Sequence, residues 1–452
     1  MSSRPLPPLS RRDFVRRSVG AASALTAAPL LTGTRAGAQV TGANDTVGVG
    51  VIGAGIRGEI LLRTLQKLPE ARVLEVADVY DGHFERTREI FSDAVRTDRD
   101  YRRMLDNPEV NAVAIVTPDH WHLRMALDAM AAGKDVYIEK PMTYRWNDGP
   151  AIVAAARDRQ RIVMVGSQYE SMPANEQARE IIASGAIGTV TLVKGAVHRN
   201  TPTGAWYYPV APDASPETID WPRFLGPAPK RPFDARRFFQ WRLFWDYSGG
   251  LPTDLFVHLV TATHVLMGVT MPTRVVAFGD ILHWSDREVP DQVTAMAEYA
   301  EGFTLSLSAT ANNNHPLPLL TFHGTEGTLE YHGTRLVLHP EPVLENYGYS
   351  TAHFPTEVRE QFFEQQDVDP QSRRPRKTAG LKAPGSRTIE TPGRDSTELH
   401  LARFLDSVRT RKPPVQDAEM GHHCAAVGHM CNISLKEKTV ARWDSRAGRL
   451  TT

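Results

Sequence analysis

VGVGVIGAGIRG, residues 47–58, is the stretch whose reading decides the fold. Val47, Val49, Val51 and Ile52 give the near-continuous apolar run of a parallel strand buried on both faces. The run leads into Gly53-x-Gly55-x-x-Gly58, whose glycines have separate duties. Gly53 permits a tight turn, Gly55 lets a pyrophosphate approach the backbone, and Gly58 lets the next helix lie against the strand. That helix, Ile56 to Lys67, is stopped by Pro69 and turns its positive N-terminus toward the phosphates. A second strand, Arg72 to Ala77, ends in Asp78, where a carboxylate would accept from ribose hydroxyls. Gly53, Gly55, Ile56, Arg57, Gly58 and Asp78 therefore read as a dinucleotide site; the competing reading is a glycine turn in an unrelated α/β protein. A carboxylate at 78 repels a 2′-phosphate, and Val79 and Tyr80 offer no cation to receive one, so NAD is favoured over NADP.

Outward from this stretch the α/β alternation continues. Helices are expected over 82–91, 101–105, 121–132 and 148–158, and strands over 111–116, 135–138 and 161–165. They complete a doubly wound sheet of about six parallel strands, a Rossmann domain spanning 44–166. The rhythm changes over 167–452. Segments 189–198, 274–278, 293–299 and 303–310 read as longer strands. In the last, Phe303, Leu305, Leu307 and Ala309 alternate with Thr304, Ser306, Ser308 and Thr310, as in a mainly antiparallel sheet with one open face. Residues 340–393, rich in Pro, Arg, Gln and Ser, read as a loop-rich insertion. A final helical region, 398–435, carries Leu401, Phe404, Leu405 and Val408 on one stripe.

Composition sets bounds. The chain has 452 residues, enough for two domains, and its 52 Lys plus Arg equal its 52 Asp plus Glu, unlike a nucleic-acid binder. Its two cysteines, Cys424 and Cys431, are too far apart on a helix for a disulfide. Ser10-Arg11-Arg12-Asp13-Phe14-Val15 resembles the twin-arginine export signal. A short apolar stretch, 19–31, and a small-x-small cleavage site, Ala36-Gly37-Ala38, follow, giving a signal and linker over 1–43. The stretch is too short to span a membrane. The expected destination is periplasmic or extracellular, the competing reading a disordered basic arm.

The ordered set VIGAGIRG, VTPDHWH (116–122), EKP (139–141) and Gly249-Gly250 followed by Asp254-x-x-x-His258 resembles the Gfo/Idh/MocA oxidoreductases over nearly everything after Asn44. The resemblance implies a Rossmann domain plus an open-faced α+β domain, with a nicotinamide between them. It implies an NAD(H)-dependent oxidoreductase acting on a sugar, polyol or glycoside, and a homo-oligomer joined through the open sheets; the twin-arginine motif adds export, and the scarcity of NAD outside the cytoplasm adds a tightly held nucleotide. Two alternatives stay open: an NAD-dependent glycoside hydrolase using transient oxidation and elimination, and a non-catalytic sugar-binding relative.

The site residues can also be weighed by their chemistry. Lys140 ends a parallel strand, the edge where open α/β sheets bind ligands, and partial desolvation would suit it to proton transfer. Asp254 and His258, i and i+4 on a helix begun by Pro252, would project together, the histidine taking a hydroxyl proton and the aspartate orienting the hydroxyl. A metal reading of Asp254, His258 and His264 is weaker, since hydride transfer needs no metal; His422, His423, Cys424 and His429 read as packed or surface residues. Thr117, Pro118, His120, Trp121 and His122 match the family's cofactor-contacting loop, although a helix cap would look similar. Glu139, Lys140, Pro141 and Gln168 complete the expected cofactor contacts, with the Lys140–Pro141 bond often cis in the family. Arg199, Trp206, Arg242 and Trp245 are candidates for the sugar, with core packing as the alternative for the tryptophans.

Overall fold

The computed structural model describes residues 46–341, 346–378, 385–414 and 416–451. The twin-arginine motif and cleavage site lie outside the described residues. The first sheet has six parallel strands: β1 (Val47–Ile52), β2 (Ala71–Ala77), β3 (Arg96–Asp98), β4 (Ala112–Ile115), β5 (Asp135–Glu139) and β6 (Val163–Gly166). Their order is β3-β2-β1-β4-β5-β6. The order reverses between β1 and β4, opening a crevice beyond the carboxyl ends of the strands. β1, β4, β5 and β6 are buried along their whole length, which is why they read as apolar runs. The sixth strand, β3, has three partly exposed polar residues at the sheet edge and leaves no apolar run in the sequence.

The second sheet has ten strands, ordered β16-β13-β12-β11-β7-β10-β9-β8-β17-β18. They are β7 (Val190–His198), β8 (Arg274–Asp280), β9 (Gln292–Glu298), β10 (Thr304–Thr310), β11 (Leu320–Gly324), β12 (Gly327–Tyr331), β13 (Arg335–Pro340), β16 (Arg387–Glu390), β17 (Ala441–Asp444) and β18 (Arg449–Thr451). Only β7 and β10 pair in parallel. Leu305, Leu307 and Ala309 are buried beneath helices Val257–Met267 and Ala418–Glu437, through Leu259, Val260, Val427 and Met430. The other face stays open, with Phe278 73% exposed.

The structure reshapes two expectations. The region 340–393 contains a helix (Thr356–Gln365), a small hairpin of β14 (Val368–Asp369) and β15 (Arg374–Pro375), and β16, which extends the large sheet through β13. The final helical region is two helices, Ser396–Thr410 and Ala418–Glu437, broken where Arg411 is left-handed (φ 59°) ahead of Pro413 and Pro414. The apolar stripe Leu401, Phe404, Leu405 and Val408 returns to the first sheet, packing with Val47, Val49, Leu61 and Leu65. The end of the chain thus completes the core around its beginning. No helix among the described residues is long and apolar enough to cross a membrane.

Candidate active site

A cleft of about 630 Å3 runs from the glycine turn to the second half of the chain. At the turn, Gly53 has φ +96°, and a Cβ on Gly58 would lie 2.1 Å from the Gly53 carbonyl oxygen. Both positions admit only glycine, because strand and helix touch backbone to backbone. Gly53, Gly55, Ile56, Arg57 and Asp78 line the cleft; Gly58 does not, and acts through that close packing.

Asp78 accepts from the Ala54 amide at 2.6 Å, from Val79 and Tyr80 at 2.7 and 3.0 Å, and lies 3.0 Å from His83 Nδ1. Burial would raise its pKa, but His83 and the amides more than offset that and hold it below its ordinary value. His83 is a partner that the sequence reading missed. Arg99 and Arg102 also reach this end of the cleft, each already committed, to Asp81 and Asp100 respectively.

Arg57 bridges the turn to the EKP segment and the chain's end. Its Nε donates to Glu139 at 2.7 Å and Nη1 to Thr397 Oγ1 at 3.1 Å, while Nη2 is buried without a partner. An orphaned guanidinium nitrogen beside a glycine turn fits a pyrophosphate, and the residues present fit NAD. Thr117, Pro118, Trp121, Glu139 and Gln168 also line the cleft.

His120 and His122, expected to touch the cofactor, do not line the cleft. His120 Nε2 lies 2.9 Å from the Phe224 carbonyl, which also accepts from Trp121 Nε1. The ring nitrogens of His122 lie 2.8 and 3.0 Å from the carbonyls of Pro141 and Thr117, tying two cofactor loops together. Both histidines are wholly buried, so they fix the loop rather than face the ligand. Pro141 likewise stays off the cleft wall and forms the cis bond after Lys140.

Across the cleft Lys140 Nζ donates to Asp254 Oδ1 at 2.5 Å and to the Asp254 carbonyl at 3.1 Å. The sequence led to an expectation of a desolvated amine; the fold instead gives that amine a carboxylate. Arg242 Nε lies 3.5 Å from the other oxygen. Burial would raise the pKa of Asp254, but the charges of Lys140 and Arg242 hold it well below the ordinary carboxylate range. Asp254 sits in a π-helical turn, Pro252–Phe256, that leads into the helix Val257–Met267. Asp254 and His258, on successive π- and α-helical turns, have different surroundings. Asp254 stands behind Lys140, while His258 faces the cleft, its ring 5.3 Å from that of Tyr169. Burial and the Lys140 charge pull His258 down to about 3, leaving a neutral imidazole whose Nδ1 is buried without a partner.

Asp119, in the middle of VTPDHWH, went unread. It is 3% exposed and lines the cleft close to the Gly249 amide. Burial and the nearby Asp254 charge push its pKa up to about 8. It thus joins the loop Thr117–His122 to the segment that carries Asp254. A carboxylate inside a cofactor loop was the signal available in the sequence.

Arg199 and Arg242 line the cleft, as does Trp241. Trp206 and Trp245 do not. Trp206 is buried in the core with φ 67°, and Trp245 lies under Lys436, whose Nζ is 3.6 Å from its ring. The aromatic surface toward a ligand comes instead from Tyr169, Tyr208 and Trp241. His264 is packed on Tyr299, 2.8 Å from its hydroxyl, and His429 on Thr143 at 3.1 Å. Cys424 and Cys431 are buried free thiols.

One wall shaped for a dinucleotide and one furnished for handling a proton define a nucleotide-dependent oxidoreductase. Residues 47–167 match the Gfo/Idh/MocA oxidoreductase family, NAD-binding Rossmann fold, and 223–330 match the Gfo/Idh/MocA C-terminal domain, together just over half of the chain. The chain belongs to this family of NAD-binding oxidoreductases. It is 26% identical to levoglucosan dehydrogenase of Pseudarthrobacter phenanthrenivorans over 324 residues, 64% of this chain and 75% of that one. To inositol 2-dehydrogenase 1 of Saccharopolyspora erythraea it is 33% identical over 173 residues, 38% of this chain and 51% of the other. In fold it is similar to a levoglucosan dehydrogenase solved with NADH and levoglucosan, with a TM-score of 0.65 and 19% identity over 88% of this chain and 99% of that one.

Proposed function

We propose that the protein oxidises a hydroxyl of a sugar, polyol or glycoside, and that the Lys140–Asp254 pair facing the glycine turn across one cleft carries the reading. A nicotinamide held at the turn would take the hydride from the carbinol carbon. The chain supplies the rest. His258, neutral down to about pH 3, accepts the hydroxyl proton. The Lys140 ammonium, fixed by Asp254, stabilises the oxygen from which that proton leaves. Tyr169, Tyr208 and Trp241 offer flat faces to the C–H faces of a sugar ring. The likeness to levoglucosan and inositol dehydrogenases supports the substrate class.

Export through the twin-arginine pathway to the periplasm or outside the cell is part of this reading, supported by Ser10–Val15. Because free NAD is scarce there, the nucleotide is retained between turnovers, with Arg57, Glu139 and Thr397 locking the turn, and a second, carbonyl-bearing substrate takes the hydride back. The open face of the large sheet, with Phe278 and Met296 exposed, is the surface through which copies associate. Incubation with a panel of sugars and aryl glycosides, without added NAD, tests the reading. A keto-sugar with reduced bound nucleotide supports it; phenol release without a keto product indicates net hydrolysis, and cofactor-free protein that binds NAD weakly contradicts retention.

A further inference from the structure

The sugar end of the cleft holds positive charge that the chain does not neutralise. Lys140 and Arg242 share the carboxylate of Asp254, and Arg57 is matched by Glu139. Arg199, just past the end of β7, lines the same cleft and forms no ion pair among the described residues. Its guanidinium stands 5.9 Å from the centre of the Trp206 ring. Arg287 stands 5.8 Å from the centre of the same ring. Arg287 is only 5% exposed; its Nε donates to the Val289 carbonyl at 2.8 Å, and both Nη atoms are buried without a hydrogen bond. The neighbouring carboxylates are engaged elsewhere. Asp286 binds Tyr207 and Arg236 at 2.5 and 2.7 Å, and Asp291 accepts from the amides of Leu282, His283 and Trp284. Two guanidinium groups thus share one tryptophan; Arg287 feels the charges of Asp291 and Asp286, while Arg199 has no ion pair among the described residues.

Buried donors without acceptors cost stability, and a proton arriving on His258 adds another positive charge within range of Lys140, Arg57 and Arg199. Arg287 does not line the cleft, so a negative charge bound there offsets the second of these, the charge gathered around His258 and Arg199. We propose that the substrate is a sugar acid whose carboxylate is gripped by Arg199, with Trp206 and Arg287 holding Arg199 in position. The proposal rests on the reading of the cleft as a sugar site. A guanidinium fork matches a planar carboxylate through two parallel hydrogen bonds; it can grip a phosphate in the same way, and the phosphate arm of the test separates the two.

The test uses the purified full chain with NAD and substrates that differ in one group: methyl glucoside against methyl glucuronide, the galactose pair, and glucose 6-phosphate as a third arm. NAD reduction gives kcat/KM, and quenching of tryptophan fluorescence gives binding independent of turnover. The uronides should exceed their neutral partners by about tenfold or more, the scale of a charged hydrogen bond, and salt should shrink the gap. Arg199→Gln should bring the ratio toward one, mainly through KM, and Arg199→Lys should recover part of it. Preference for the neutral sugar or the phosphate, or an unchanged ratio in Arg199→Gln, overturns the proposal. Uronides that bind while nothing in the panel reduces NAD leave the acid site standing and remove the dehydrogenase reading. Uronides that neither bind nor react overturn the acid site itself.

Discussion

The two walls of the cleft are built on different principles. The glycine-turn wall is made of backbone: Gly58 against the Gly53 carbonyl, and three amides on Asp78. The chemical wall, where the end of β5 meets the second half of the chain, is made of side chains from distant segments: Lys140 on Asp254, Arg242 beside them, and His258 against Tyr169. Backbone contacts tolerate almost no substitution and fix one ligand shape. Side-chain contacts hold the chemistry and can be re-tuned without disturbing the fold. Variants should therefore separate into two types, one losing the nucleotide and the other losing turnover.

The largest expected effect is on the side-chain wall. Lys140→Met should lower kcat by about a thousandfold, the upper range for removing a donor to a developing oxyanion, with NAD affinity changed far less. Stopped-flow turnover alongside NAD titration checks this, and a parallel loss of binding would blur the distinction between the walls. On the backbone wall, Gly58→Val should weaken NAD by about a hundredfold, since the new side chain meets a carbonyl 2.1 Å away, while residual kcat at saturating NAD stays near wild type. A smaller change, about tenfold, is expected for Asp78→Asn, with NADP gaining relative to NAD as the charge that repels a 2′-phosphate disappears. Isothermal titration with both nucleotides reads it directly.

A pH profile sharpens the contrast further. The pKa of His258 is depressed from 6.5 to about 3, so the base stays deprotonated as pH falls through 6.5. kcat/KM should show no imidazole inflection between pH 7 and 5; one that vanishes in His258→Gln would refute the depressed pKa of His258. Stability runs the other way. Several buried histidines, including His264 at about 3 and His429 at about 4, titrate in the unfolded chain near 6.5 but not in the fold. The unfolded state then binds more protons, and the melting temperature should fall as pH drops from 7 toward 4. Glu170, pushed up to about 8 by burial, has the opposite sign: its contribution is full below its unfolded pKa and is lost as pH rises toward 8. Glu170→Gln should thus stabilise more at pH 8 than at pH 5, the smallest of these effects.

What could be read from the sequence follows the same division. The glycine turn, Asp78 and the buried strands were legible because a backbone requirement leaves few permitted residues. Ordered motifs pointed to Lys140 and His258, and both line the cleft. The two histidines of VTPDHWH were misread because a motif position does not say whether a side chain faces ligand or loop. Trp206 and Trp245 were misread for a related reason: an aromatic serves core and site equally well until long-range packing decides. Asp119 and His83 gain their meaning from partners brought by the fold, and β3 carries no apolar signal at the sheet edge. The packing of Leu401 and Phe404 on the first sheet joins residues some 350 positions apart, which no local pattern records.

Isotope transfer tests the central claim most directly. A sugar deuterated at the reacting carbon is incubated with the purified protein, and the nucleotide is then released and weighed by mass spectrometry. The account predicts reduced NAD one mass unit heavier from the wild type, and the same labelling about a thousandfold more slowly from Lys140→Met. Deuterium found only in solvent, or a protein that carries no nucleotide and takes up none, would contradict it.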